Sequence, residues 1–150
     1  MRSAQWRPAL RIWPKLAERR LQVRAGTKPE FWEQLGDVLA KRDVRWALTG
    51  ADAAERRTNY FHAEDTEIYA RIAAFDDREV LKRLVAQPAA RGGNLLVIEP
   101  PAPAATPTNN DHVRVAPALL AYADLRYRGT GQAIEAAEML LPAVMADETR

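Results

Sequence analysis

Asp65-Thr66-Glu67 sets two carboxylates two residues apart, and on a β-strand that spacing puts both on one face. Paired acids of this kind can hold Mg²⁺ for an in-line displacement at phosphorus. The residues upstream suit the same chemistry. Thr49-Gly50 closes a β-rich run, Val44 to Leu48, and a glycine turn that opens a helix presents backbone N–H groups to phosphate. Glu99, at the end of a later apolar run, would be the third acid.

The arrangement resembles a degraded minimal nucleotidyltransferase. Active enzymes of that kind have Gly-Ser or Gly-Gly at the turn, whereas Thr49-Gly50 keeps one of the pair. Asp52 also puts negative charge where the helix start would otherwise receive phosphate. A plainer account needs less. Thr49-x-x-Asp52 is then a capping-box variant, and Asp65 and Glu67 are strand-edge acids facing solvent. Other catalytic signals are thinner. His62 and His112 stand alone, without the spacing of metal ligands. The chain has no cysteine, which excludes disulfides and thiolate metal sites and suits a reducing cytoplasm.

A further acid, Asp124, stands near the end of the chain. Pro117 suits a first helical position, and Leu120, Ala123, Asp124 and Tyr127 then share one helical face. A carboxylate on an apolar face needs a partner, and Arg128 and Gln132 are within reach in sequence. Beyond Gly129 and Gly131 a last helix carries Ala133, Ala136, Ala137, Leu140, Leu141 and Val144 on one side. Pro142 is expected to end or bend it.

These segments resemble the C-terminal domain of the AbiEi family, antitoxins and transcriptional regulators of type IV toxin–antitoxin systems. Tyr122, Asp124, Leu125, Glu135 and Ala137 stand in the family's places in the final helices. Two upstream blocks, Arg45 to Ala54 with Asp65 to Ala70 and Gly93 to Pro100, follow in the expected order. Gln132 stands where the family has arginine. The resemblance covers roughly residues 25–147, and the winged helix that precedes this region in the family is not among the 150 residues. It implies a regulator without a cofactor, countering a nucleotidyltransferase toxin without a stable complex. The structural motif residues would be Thr49, Gly50, Tyr122, Asp124, Leu125 and Glu135. The alternative is a small nucleotidyltransferase-like enzyme using Asp65, Glu67 and Glu99.

Net charge is +2, unevenly spread. Arg2, Arg7, Arg11, Lys15, Arg19, Arg20 and Arg24 face a single acid, Glu18, and Trp6 and Trp13 lie among them. Residues 1–24 therefore read as a basic arm or linker, either solvated or in contact with nucleic acid. The longest apolar run, Val115 to Ala123, is far short of the ~20 residues of a membrane span. No secretory signal is legible, so the expected location is the cytoplasm and no membrane partner is expected.

The positioning elements follow from periodicity. Thr27-Lys28-Pro29-Glu30 is a capping box opening a helix to about Lys41, with Phe31, Leu35, Val38 and Leu39 inward. Ala51 to Thr58 is helical, and Glu67 to Ile72 is a strand with Ile68 and Ala70 on one face. Asp77 opens a helix with Val80, Leu81, Leu84 and Val85 inward. Leu95 to Ile98 is a strand covered on both faces. Pro100 to Pro107 is an extended loop without a core, and His112 to Val115 a short strand at best. The sum is one α/β or α+β domain over residues 25–150, a small central sheet flanked by helices and ending in a helical pair.

Overall fold

The computed structural model describes residues 16–24, 26–58, 65–89, 92–107 and 113–148. Within them the chain is α+β. The strands are β1 (Glu18–Gln22), β2 (Trp46–Leu48), β3 (Thr66–Ala70), β4 (Gln87–Pro88) and β5 (Leu95–Ile98). The helices are α1 (Lys28–Ala40), α2 (Gly50–Thr58), α3 (Arg78–Leu84), α4 (Ala118–Arg128) and α5 (Gly131–Glu148).

The sheet runs β2-β3-β5-β1-β4. Only β3 and β5 are parallel, with Glu67 opposite Leu96 and Tyr69 opposite Ile98. The run Leu95–Ile98 is buried throughout because helices cover both faces. On one face Leu48, Ile68, Leu95 and Val97 meet α1 and α3. On the other, Ala47, Tyr69, Leu96 and Ile98 meet Ala123 of α4 and the loop alanines Ala105 and Ala116. Above them the alanines of α2 pack against Ala121, Leu125, Ala133, Ala136, Ala137 and Leu140, so small side chains let three helices approach closely.

Local signals behave as expected at several ends. Thr27 and Glu30 form the reciprocal capping box of α1, and the Asp77 carboxylate accepts from the N–H groups of Glu79 and Val80 at the start of α3. Gly129, at φ 74°, closes α4 in the left-handed conformation that glycine adopts without strain.

Other expectations are corrected. Glu18–Gln22, placed in the arm, is an inner strand: it pairs antiparallel with β5 on one side and β4 on the other. Asn94 fastens the adjoining Val23 by accepting its N–H at 2.8 Å and donating to its carbonyl at 2.9 Å. Residues 1–15, with Arg2, Arg7 and Arg11, lie outside the described residues, as do His62 and His112.

α5 continues through Pro142, which lies inside the helix. Proline removes its own bond to the Glu138 carbonyl, and packing of Leu140 and Val144 on either side holds the neighbouring turns. Val85 is 52% exposed and left-handed, capping α3 instead of packing beneath it. Tyr127 is likewise exposed. The proline segment does carry core residues: Ala105 and Thr106 are buried, and Arg45 donates to the carbonyls of Pro103 and Thr106. Val115 makes a single parallel bridge to Leu48.

Candidate functional site

The sheet brings the Thr49-Gly50 turn against the first residues of β3. Thr49 N–H donates to the Glu67 carbonyl at 2.9 Å, so the turn and Glu67 are held together by backbone. Gly50 has φ +58°, and a side-chain carbon there would collide with Glu67 Oε2. Glycine is required twice, for the dihedral and for the carboxylate lying on it.

Strand alternation turns Glu67 and Tyr69 toward α2 and α4, while Ile68 faces α1. There they meet Asp124, the buried acid of α4. Thr49 Oγ1 donates to Asp124 Oδ2 at 2.5 Å and the Tyr69 hydroxyl donates to the same oxygen at 2.6 Å. The partners sought for Asp124 at Arg128 and Gln132 are thus joined or replaced by two hydroxyls from distant strands; Gln132 is exposed on α5.

Asp52, in the first turn of α2, is fully buried. Lys28 Nζ donates to its Oδ1 at 2.5 Å, and Glu67 N–H donates to its Oδ2 at 3.2 Å. Lys28 also reaches the Asp65 carbonyl at 3.0 Å, tying α1 to α2 and β3. The capping-box reading of Thr49 and Asp52 is therefore replaced by two long-range networks.

Arg128 completes the cluster from the end of α4. Its Nε lies 3.6 Å from Glu67 Oε1 and its Nη2 lies 3.7 Å from Glu18 Oε2. Glu67 Oε2 and Arg128 Nε are both buried without a hydrogen-bond partner. Burial pushes the Glu67 carboxyl up to about 7; Arg128 opposes the shift, Asp124 and Asp52 add to it, and Arg20 opposes it. Burial likewise raises Asp52, against the pull of Lys28. Burial and the neighbouring Asp124 charge raise the Tyr69 hydroxyl well above its ordinary value, so it serves as a donor.

The three acids named as a catalytic alternative do not converge. Glu67 is half-buried on an inner strand and not a solvent-facing edge acid. Asp65 is exposed. Glu99 follows the other end of β5, where its Oε1 accepts from Ile72 N–H at 3.2 Å. The acids that gather are Asp52, Glu67 and Asp124, and among the described residues no three acidic or histidine side chains could hold a metal ion. Both oxygens of Asp52 are engaged by the protein itself, and Asp124 Oδ2 takes two donors.

Of the motif residues, Thr49, Gly50 and Asp124 belong to this cluster. Leu125 is buried in the helical core, Tyr122 packs beside it, and Glu135 is exposed on α5. Among the arginines of the arm, Arg19 pairs with Asp76 at 2.5 Å, Arg20 lies on the face of β1 that acts on Glu67, and Arg24 is exposed. Sequence reasoning missed Lys28 and Tyr69. One signal was legible: Asp52 stands among Ala51, Ala53 and Ala54, an acid in a run that can only pack inward.

A family model described as a transcriptional regulator, the AbiEi antitoxin of a type IV toxin–antitoxin system, matches residues 9–146. No curated protein and no solved structure matches the chain.

Proposed function

Because this chain belongs to the family of AbiEi antitoxins, the transcriptional regulators of type IV toxin–antitoxin systems, we propose that it protects its host by countering a nucleotidyltransferase toxin, and that it is not itself an enzyme. The family match over residues 9–146 carries this reading. The geometry of the acidic cluster supports it. A phosphoryl-transfer site needs carboxylates free to bind a metal and a helix start free to receive phosphate. Here Lys28 neutralises Asp52, and the Glu67 side chain covers Gly50 at the start of α2. Thr49, Gly50, Asp124 and Leu125 act as the structural centre of the antitoxin unit, and Tyr122 and Glu135 border it.

The unit extends from β1 to α5. Among the described residues no helix is long and apolar enough to cross a membrane, and the proposed place of action is the cytoplasm, where a nucleotidyltransferase toxin would meet its substrate. The toxin is opposed without a lasting complex. Contact of the basic N-terminal residues with nucleic acid is a separate proposal, whose mark would be sequence-tolerant binding that weakens steeply with salt.

Co-expression with a nucleotidyltransferase encoded beside this chain tests the reading. Growth should be rescued, the Asp65→Ala/Glu67→Ala variant should rescue equally if it folds, and the purified proteins should not co-elute. Mg²⁺-dependent transfer of label from a nucleoside triphosphate by this chain alone, abolished in that variant, would make it an enzyme instead.

A further inference from the structure

At the end of the sheet away from Gly50, three neighbouring strands each leave a charged residue just outside the ladder. Arg45 precedes β2, Arg71 follows β3 and Glu99 follows β5. They line one cavity of about 480 Å³, whose apolar walls include Val44, Pro100, Pro101 and Pro103. That volume is within the range of small-molecule sites, and it lies at the carboxyl ends of two adjacent parallel strands, a common place for ligands in open sheets.

The charges there are arranged at a disadvantage to the empty protein. Trp46 faces Ala70 across antiparallel β2 and β3, so Arg45 and Arg71 occupy the next facing positions. Like charges placed opposite one another on adjacent strands are destabilising. Asp43 and Glu99 share the cavity wall, but neither forms an ion pair with Arg45 or Arg71. Arg45 donates from Nε to the Thr106 carbonyl at 2.9 Å and from Nη2 to that of Pro103 at 3.3 Å, which fixes its guanidinium without neutralising it. The Arg71 guanidinium is exposed and has no partner among the described residues. Glu99 is occupied by the Ile72 N–H.

We propose that this cavity binds a small molecule carrying a single phosphate group, with the oxyanion between Arg45 and Arg71 and the remainder against the prolines. Nε and Nη2 of Arg45 are taken by the two carbonyls, so Arg45, held in place before any ligand arrives, offers Nη1, while Arg71 offers the whole guanidinium fork that matches phosphate oxygens. The cavity is larger than a bare phosphate and suits a mononucleotide-sized ligand. Asp43 and Glu99 on its wall disfavour additional phosphates. The inference does not depend on the antitoxin reading.

Calorimetric titration of the full chain with the four nucleoside 5′-monophosphates tests it. Nucleosides, inorganic phosphate, ATP and an oligonucleotide without terminal phosphate complete the set. At least one monophosphate should bind saturably, its nucleoside should not, and ATP should bind more weakly. Arg71→Ala should weaken the monophosphate about tenfold or more, a change expected for loss of one charged hydrogen-bonding group. Arg71→Gln, which keeps the stem, should do the same if the alanine variant melts early. Unchanged affinity in both variants would overturn the proposal. So would saturable binding of none of the monophosphates, a nucleoside binding as well as its monophosphate, ATP binding at least as tightly, or binding of the oligonucleotide alone.

Discussion

The carboxylate of Glu67 fills the space where a side chain on Gly50 would begin, leaving no room for one at that turn. The two residues are seventeen apart in sequence: Gly50 opens α2 just after β2, and Glu67 lies on β3, the antiparallel neighbour of β2. Their contact makes the start of α2 a closed site occupied by the protein's own acid.

Gly50→Ala should therefore destabilise the chain on two counts, the positive φ and the collision with Glu67, by about 2–4 kcal/mol in sum. Adding Glu67→Ala should restore only part of the loss, because the dihedral strain remains. Urea unfolding of the single and double variants measures both parts; equal midpoints for Gly50→Ala and wild type would refute the contact.

Stability should depend on pH through Glu67. Its carboxyl titrates at about 7 in the folded chain against 4.5 for the free group. The folded state thus holds more protons between those values, so stability falls as pH rises across that window. The gap corresponds to about 3 kcal/mol, present below pH ~4.5 and lost above pH ~7. The raised Asp52 carboxyl contributes with the same sign. Glu67→Gln keeps the shape and should flatten the profile. Melting both proteins at pH 5 and pH 8 checks this, and parallel profiles would exclude Glu67 as the source.

Asp124→Ala should cost about 3 kcal/mol, since the hydroxyls of Thr49 and Tyr69 would be left buried without an acceptor. Asp124→Asn retains an acceptor oxygen and should cost less than half as much. Thermal melts of the pair decide it, and two equal losses would count against hydrogen bonding as the cause.

Lys28→Met should leave Asp52 as a buried carboxylate without its cation, at a cost of about 2–4 kcal/mol. Lys28→Met combined with Asp52→Asn should recover much of that loss, because the uncompensated charge is gone. A double-mutant cycle in denaturant reads the coupling directly. Strict additivity would show that the pair contributes nothing.

Truncation through Gln22 should abolish cooperative unfolding, because β1 is the strand joining β5 to β4. Near-ultraviolet circular dichroism and proteolysis would report the loss. A truncated chain that melts cooperatively at the wild-type temperature would show that the sheet does without β1.

Several features of this fold were written in short stretches of sequence. Thr27 and Glu30 cap α1, four consecutive apolar residues make β5 a covered strand, and an alanine-rich repeat announces the last helix; each is decided within a turn or two of chain. Other features were not local. Glu-Arg-Arg-Leu-Gln shows no strand period of its own, and it becomes β1 because β5, more than seventy residues later, supplies backbone partners. Pro142 stays inside α5 because packing on either side offsets one missing bond. Asp124 was legible as a buried acid in want of a partner, but its donors lie 75 and 55 residues away. Hydrophobic periodicity and capping act between neighbours and so can be read along the chain. Charge pairing inside the core depends on which strands and helices come to share one low-dielectric space, and that is decided only when the chain has folded.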